Sequence, residues 1–172
     1  MLILVTGGSA SGKSAYAESL CLTVSPRVYL ACMQPFGKEG KKRIERHRAM
    51  RKDKGFLTVE QYTDLASLIL PSCACVLLED LGNVTANEMF AAEPPRDPFD
   101  AVIGGIDALQ KQCERLVVVT DEIGNDGMNY DPATTAYLAA LSALNRTLAA
   151  RADAVIEVVA GIPIAVKGEL PV

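Results

Sequence analysis

The sequence has no long apolar run and no cysteine pair at metal-binding or redox spacing. None of its apolar stretches approaches the ~20 residues that cross a bilayer, and its N-terminus lacks the basic start and cleavage site of a signal peptide. The five cysteines are scattered, and the closest two, Cys73 and Cys75, are one residue apart rather than two. These absences argue against a membrane span, a zinc pair and a C-x-x-C thiol centre. They predict a cytoplasmic protein with reduced, mostly buried thiols.

The small net charge conceals an uneven distribution. The formal charge is −4, but residues 38–54 carry nine Lys and Arg against three acids, a local charge of +6 that leaves −10 for the rest. Only Phe36 and Phe56 flank this basic segment, which makes it a poor platform for stacking bases. We therefore expect a local anion site and no nucleic-acid partner.

The first strand-to-helix turn has the pattern of a phosphate-binding loop. An apolar strand precedes it, a helical pattern follows it, and Gly7 is separated by four residues from Gly12-Lys13-Ser14. Glycines let backbone N–H groups turn toward phosphate oxygens, and the helix N-terminus adds partial positive charge. Lys13 should reach the β- and γ-phosphates, and the Ser14 hydroxyl should ligate Mg²⁺. The predicted nucleotide-binding residues of this loop are Gly7, Gly8, Ser9, Ala10, Ser11, Gly12, Lys13 and Ser14.

Apolar strand patterns alternate with helical patterns along the rest of the chain. Strands are predicted at 2–6, 27–31, 58–60, 75–78, 116–120, 154–159 and 162–166. Helices are predicted at 15–22, 39–52, 64–70, 83–91, 99–113 and 132–152, and the proline-rich loop 93–98 is expected to be the most dispensable segment. The pattern predicts one α/β domain over residues 1–172: a doubly wound, mostly parallel, P-loop NTPase-like sheet with a short C-terminal edge hairpin.

Two pairs of acidic residues follow predicted strands. Glu79-Asp80 and Asp121-Glu122 should face the same crevice as the phosphate-binding loop, because the carboxyl ends of parallel strands share one edge of a sheet. An apolar strand that ends in an acid resembles a Walker B segment, whose carboxylate holds Mg²⁺ directly or through water. Glu79 is the stronger candidate for Mg²⁺ and Asp80 the second. Helix caps or solvated loop acids are the alternative interpretation.

The only histidine lies in the basic segment. Arg43 and Arg51 stand four residues before and after His47, so all three share one face of a helix. Cationic neighbours disfavour the protonated imidazole and attract a polyphosphate. A neutral imidazole beside a bound nucleotide can attack phosphorus. A solitary surface histidine without a chemical role is the alternative.

Together these segments resemble the bifunctional adenosylcobinamide kinase/adenosylcobinamide-phosphate guanylyltransferase family of cobalamin biosynthesis. The phosphate-binding loop is shared by many NTPases, whereas the histidine segment and the Asp-Glu-x-Gly segment are much more specific. The motifs that carry the resemblance are Thr6-Gly7-Gly8 through Ser14, Arg43-Ile44-x-x-His47-Arg48-x-x-Arg51, Thr58-Val59-Glu60, Leu77-Leu78-Glu79-Asp80-Leu81 with Asn87, Thr120-Asp121-Glu122-Ile123-Gly124, Asn145-x-x-Leu148-Ala149-x-x-Ala152-Asp153 and Val158-Val159-x-Gly161-Ile162-Pro163.

The resemblance implies two reactions. In the first, a nucleoside triphosphate phosphorylates the aminopropanol hydroxyl of adenosylcobinamide. In the second, His47 attacks the α-phosphate of GTP, releases pyrophosphate and passes GMP to adenosylcobinamide phosphate, which gives adenosylcobinamide-GDP. The site expected for them has His47 and Lys13 as catalytic residues, Arg51, Glu79 and Asp80 as nucleotide contacts, and Mg²⁺ on Ser14 and Glu79. ATP and GTP are the expected nucleotides, and the family suggests a homotrimer.

The chain departs from the family pattern at several positions. Many relatives have arginine in place of Ala10, often proline and tryptophan where Lys52 and Phe56 stand, and some an Arg-Asp pair in place of Leu138-Ala139. If that pair serves the kinase step, only guanylyl transfer survives here. Two further alternatives are a P-loop small-molecule kinase in which His47 only positions phosphate, and a nucleotide-binding regulator without catalysis.

Overall fold

The computed structural model describes residues 1–35, 45, 49, 51, 53–124 and 126–171. The predicted helix 39–52 lies mostly outside the described residues, as do His47 and Arg43. The strands are β1 Leu2–Thr6, β2 Arg27–Ala31, β3 Phe56–Glu60, β4 Cys75–Glu79, β5 Arg115–Val119, β6 Ala154–Val159 and β7 Ile162–Lys167. The described helices are α1 Lys13–Leu22, α2 Leu81–Met89, α3 Phe99–Gln110 and α4 Pro132–Arg151, with a 3₁₀ turn at Leu65–Ser67.

The strands form one sheet in the order β3-β2-β4-β5-β1-β6-β7. Every neighbouring pair is parallel except β6 and β7, which form an antiparallel hairpin at the edge. The mostly parallel α/β fold, its P-loop NTPase-like character and the C-terminal hairpin are thereby confirmed. Strand β1 lies between β5 and β6, so the loop that follows it opens at the middle of the sheet's carboxyl edge.

Helices cover both faces of the sheet. Alternate residues of each strand point to opposite faces, so a strand buried on both sides is apolar throughout. Leu2 and Leu4 of β1 belong to the cluster that packs under α2, α3 and α4, whereas Ile3 and Val5 pack under α1. This burial explains the unbroken apolar runs of β1, β4 and β5.

Two local expectations are corrected by the structure. The predicted helix 64–70 is only the 3₁₀ turn, because Asp64 has left-handed backbone angles and Leu68 is extended. The loop 93–98 is anchored rather than dispensable: the Arg96 guanidinium donates to the buried Glu88 carboxylate at 2.6 Å, and the Arg96 backbone N–H donates to the Met89 carbonyl at 3.0 Å.

The thiols agree with the expectation from the sequence. All five cysteines are free, with three of them, Cys21, Cys32 and Cys75, buried and Cys73 and Cys113 half-buried. None of the helices in the described part of the chain has the length and apolarity needed to cross a bilayer.

Candidate nucleotide-binding site

The phosphate-binding loop is a tight turn that requires glycine at two positions. Gly7 has φ +152°, and a Cβ there would lie 2.5 Å from the Val158 carbonyl oxygen. Gly12 caps α1 with φ +95°, and a Cβ there would lie 3.3 Å from Cα of Gly161 in the β6–β7 turn. The Gly161 N–H donates to the Ser11 carbonyl at 2.8 Å. The β6–β7 hairpin therefore packs against the phosphate-binding loop and holds its backbone in place.

Lys13 is the first residue of α1 and lies across the mouth of the loop. Its side chain is buried, and its ammonium group donates to the Gly8 carbonyl at 3.2 Å and pairs with Asp121 Oδ1 at 2.6 Å. The Glu122 N–H approaches the Gly7 carbonyl at 3.5 Å. The acidic pair that follows β5 thus lies directly against the phosphate-binding loop, as its position after a central strand predicts.

Ser14 meets the acid that ends β4. The Ser14 hydroxyl donates to Glu79 Oε1 at 2.5 Å, and only 7% of the Glu79 surface is exposed. Burial is the main cause that raises the pKa of Glu79 to about 7, while the Ser14 hydrogen bond lowers it. The carboxylates of Asp80 and Glu18 raise this pKa further, and the positive charge of Arg51 opposes them.

This pair of oxygen donors suits a Mg²⁺ ion that arrives with a nucleotide. The part of the chain that the structure describes holds no cluster of three or more His, Cys, Asp or Glu able to bind a metal by themselves. In phosphoryl-transfer sites Mg²⁺ uses one or two protein oxygens and completes its octahedron with phosphate and water. Ser14 and Glu79 fit that requirement.

Asp80 has a different task from its neighbour. It is the N-cap of α2, where Oδ1 accepts from the Asn83 N–H at 2.7 Å and Oδ2 accepts from the Asn83 side-chain amide at 2.8 Å. A carboxylate at a helix N-terminus satisfies an orphan donor and complements the helix dipole. The structure therefore brings Glu79, rather than Asp80, to the Ser14 hydroxyl.

Arg51 is the one arginine of the histidine motif that the structure describes. It is 6% exposed, and its guanidinium carbon lies 3.3 Å from the centroid of the Tyr29 ring. Its Nε and Nη1 have no hydrogen-bond partner among the described residues. Tyr29 belongs to β2, the direct neighbour of the strand β4 that ends in Glu79, so Arg51 lies on the Glu79 side of the crevice. Arg43 and His47 lie outside the described residues, so their predicted roles stay predictions.

Sequence reasoning did not assign roles to three residues that organise the site. The Thr120 hydroxyl donates to Asn145 Oδ1 at 2.8 Å, and the Asn145 amide approaches the Asp121 carbonyl at 3.4 Å. Tyr29 supplies the ring beneath Arg51. Thr120 and Asn145 belong to motifs that carry the family resemblance, but they lie 25 residues apart. Only the packing of α4 over the β1 region of the sheet brings them into contact.

Comparison with known proteins agrees with this geometry over almost the whole chain. Residues 3–166 match the family model described as "Cobinamide kinase / cobinamide phosphate guanyltransferase". The chain is 33% identical to "Bifunctional adenosylcobalamin biosynthesis protein CobU" of Escherichia coli strain K12, with 97% of this chain and 100% of that protein aligned. It is 32% identical to the CobU protein of Salmonella typhimurium, with the same coverage.

The chain is also similar to a CobP protein. "Bifunctional adenosylcobalamin biosynthesis protein CobP" of Pseudomonas aeruginosa is 28% identical over 96% of this chain and 97% of its own length. The match therefore includes the phosphate-binding loop, both acidic pairs and the hairpin that supports the loop. On this evidence the chain belongs to the cobinamide kinase/cobinamide phosphate guanyltransferase family.

Proposed function

We propose that this protein phosphorylates adenosylcobinamide and then transfers GMP from GTP to the resulting phosphate. The observation that carries the proposal is the assembly of Lys13, Ser14, Glu79 and Asp121 around one glycine loop, in a chain that matches a kinase and guanyltransferase family from end to end. A phosphate-binding loop alone would fit many NTPases. The end-to-end match restricts the chemistry to nucleotide-dependent transfer on a cobinamide.

In the phosphorylation step the loop holds the triphosphate. The backbone N–H groups of the glycine loop and the N-terminus of α1 face the phosphate oxygens, and Lys13 contacts the β- and γ-phosphates. Ser14 and Glu79 would hold Mg²⁺, which when bound neutralises charge that develops on the phosphates. The acceptor hydroxyl oxygen attacks the γ-phosphorus, the bond to the β–γ bridging oxygen breaks, and the nucleoside diphosphate leaves.

In the transfer step His47 is the proposed nucleophile. A neutral imidazole nitrogen attacks the α-phosphorus of GTP, and pyrophosphate leaves as the bond to the α–β bridging oxygen breaks. A phosphate oxygen of adenosylcobinamide phosphate then attacks the same phosphorus, the P–N bond breaks, and adenosylcobinamide-GDP forms. This assignment is supported by the sequence motif around His47. Buried Arg51, from the same motif, supports an anion site on this side of the crevice.

Guanine selection is proposed for Glu79 and Asp80, the two acids at the end of β4. A carboxylate can accept hydrogen bonds from the N1–H and N2–H₂ groups of guanine. Because Glu79 is also a proposed Mg²⁺ ligand, the two affinities are compared without Mg²⁺, where we expect the Glu79→Gln protein still to bind triphosphates through the glycine loop and Lys13 but to lose its preference for GTP over ATP. An unchanged ratio of GTP to ATP affinity in Glu79→Gln would contradict this role and direct attention to Asp80.

The test of the proposed function follows both products in one reaction. Purified protein is incubated with adenosylcobinamide, Mg²⁺ and either ATP or GTP, and the corrinoids are identified by mass. We expect adenosylcobinamide phosphate with a suitable donor and adenosylcobinamide-GDP only when GTP is present. Phosphorylation without GMP transfer would support a simple P-loop kinase, and nucleotide binding without either product would support a regulator.

We also propose a cytoplasmic homotrimer. Exposed apolar side chains on the edge strand β7, including Ile162 and Val166 at 64% and 63% exposure, support burial against further copies. Light scattering after gel filtration should give three times the 18.3 kDa mass of one chain. A monomer at micromolar concentration would contradict this assembly.

A further inference from the structure

A cavity of about 350 Å³ lies between α4 and the sheet, next to the phosphate-binding loop. Its apolar floor includes Leu4 and Val155, and α4 contributes Ser142 and Asn145 to its wall. We call it the α4 cavity. The nucleotide site is built on the α1 side of β1, whereas Leu4 faces the opposite side of the sheet. The nucleotide contacts proposed above therefore leave the α4 cavity unused.

Asp121 is the residue that connects the two sites. Its carboxylate pairs with Lys13 at 2.6 Å, and the same residue lines the α4 cavity. Its backbone is held by the Asn145 amide, which approaches the Asp121 carbonyl at 3.4 Å. Lys13 contacts the terminal phosphates in proteins with this loop. Asp121 therefore stands between the expected position of the γ-phosphate and the interior of the cavity.

The size and lining of the α4 cavity define what it can accept. About 350 Å³ is at the lower end of ligand-pocket volumes, so a short side arm fits better than a whole cofactor-sized molecule. The apolar floor suits carbon atoms, while Ser142, Arg146 and Glu157 offer polar contacts near the rim. A small hydroxyl-bearing arm that ends at Asp121 matches this distribution.

We propose that the α4 cavity receives the hydroxyl-bearing arm of the kinase acceptor, and that Asp121 accepts the proton of that hydroxyl during phosphorylation. The inference rests on the proposed kinase function and adds to it the acceptor site and the base. As the hydroxyl oxygen bonds to the γ-phosphorus, its proton passes to an Asp121 oxygen, and the nucleoside diphosphate departs with the electrons of the broken P–O bond. When a triphosphate binds, Lys13 pairs with its phosphates instead of with Asp121, so the Asp121 carboxylate is available to accept the proton.

The first test removes the charge of Asp121 while keeping its shape. Asp121→Asn retains an oxygen that can accept from Lys13, but it cannot take up the hydroxyl proton. Loss of a positioned base typically costs about 10²–10⁴-fold in rate. We expect kcat for phosphorylation of adenosylcobinamide to fall by that factor. Transfer of GMP to ready-made adenosylcobinamide phosphate, which needs no hydroxyl proton to be removed, should fall far less.

The comparison variant is Glu122→Gln, which neutralises the adjacent acid of the same loop. A larger loss of phosphorylation in Glu122→Gln than in Asp121→Asn would overturn the assignment. Equal losses of phosphorylation and GMP transfer in Asp121→Asn, together with weakened ATP binding by calorimetry, would show a structural role and would also overturn it. Absence of phosphorylation by the parent protein would contradict the proposed function itself, and the inference with it.

The second test fills the α4 cavity from an exposed position. Ser142 is exposed on α4 and lines the cavity, so Ser142→Trp should fold normally and narrow the entrance. We expect KM for the acceptor to rise at least about tenfold, the effect of losing roughly 1.4 kcal/mol of binding, with ATP affinity unchanged. Ala150→Trp, at another exposed position of α4, is the matched control. An unchanged acceptor KM in Ser142→Trp would place the acceptor elsewhere.

Discussion

Lys13 and Ser14 are adjacent in sequence, yet each contacts an acid from a different strand. Lys13 pairs with Asp121 after β5, and Ser14 donates to Glu79 at the end of β4. Successive residues of the first helical turn point about 100° apart, so one turn can address two neighbouring strand ends. The residue pattern predicted that both acids lie in the crevice. The predicted Mg²⁺ site also placed Glu79 beside Ser14, but the sequence assigned no acidic partner to Lys13.

Gly7 allows a direct test of the loop's backbone requirement. In Gly7→Ala the new Cβ would clash with the Val158 carbonyl oxygen, and the alanine backbone would have to keep a positive φ that L side chains rarely adopt. We therefore expect the free energy of unfolding to fall by at least about 2 kcal/mol. A Cβ at Gly8 meets nothing within 4 Å, so Gly8→Ala is the matched control, with an expected change under about 0.5 kcal/mol. Urea denaturation followed by circular dichroism measures both. Equal effects would contradict the loop geometry.

The raised pKa of Glu79 should make the stability of the protein depend on pH when no nucleotide or Mg²⁺ is bound. Its pKa is about 7 in the folded protein against an ordinary value of 4.5, so the folded state holds a proton that the unfolded state releases. Stability should therefore fall as pH rises from about 4.5 to 7 and then level off. Glu79→Gln removes this loss and keeps an acceptor for Ser14. We expect it to be more stable than the parent at pH 8, by up to about 3 kcal/mol, and similar near pH 5.

Thermal melts at pH 5, 6.5 and 8 with EDTA present measure this difference. If the melting temperatures of Glu79→Gln and the parent differ by the same amount at all three pH values, the charge of Glu79 is not the cause of the difference. A Glu79→Gln protein less stable than the parent at pH 8 would contradict the predicted sign.

The segment after α2 shows how a buried charge fixes a loop that composition alone marks as expendable. Glu88 is 2% exposed and accepts from the Arg96 guanidinium and from the Asp64 backbone N–H. A buried carboxylate needs such partners because desolvation without them is costly. Prolines and charges made residues 93–98 look like a free surface loop, and the pairing partner eight residues away gave no periodic signal.

Arg96→Ala should therefore destabilise the protein although Arg96 lies at the surface. The substitution removes the charge that compensates the buried Glu88 carboxylate. We expect the free energy of unfolding to fall by about 1–3 kcal/mol, less than for a fully buried pair because the arginine is half exposed. Glu93→Ala changes an exposed charge of the same loop and should have little effect. Chemical denaturation of both variants gives the comparison, and equal stabilities would show that the pair contributes nothing.

At the level of the element, strands were predicted more accurately than short helices. Apolar runs such as 27–31 and 154–159 coincide with β2 and β6 because burial on both faces leaves an unmistakable pattern. The stretch 64–70 has helix-compatible residues, but the left-handed Asp64 and the extended Leu68 restrict it to a single turn. Those backbone angles depend on tertiary contacts, including the bond from Asp64 N–H to Glu88, which the sequence does not reveal.

For the whole molecule, alternation of strands and helices was sufficient to predict the α/β class, the parallel sheet and the edge hairpin. The order of the strands was not predictable from the pattern, and that order places β5 between β4 and β1. This placement brings Asp121 to Lys13 and creates the α4 cavity beneath α4. The interpretation of His47 still depends on its motif alone, because that residue lies outside the described part of the chain.

The proposed function requires that one chain both holds a triphosphate in its glycine loop and carries GMP on a histidine. The most direct measurement incubates the protein and His47→Ala with Mg²⁺ and GTP labelled at the α-phosphate, then tests for label on the protein that is lost in acid and stable in base. Our account predicts a labelled parent and an unlabelled His47→Ala protein that still binds GTP. An unlabelled parent with GTP binding intact would contradict it.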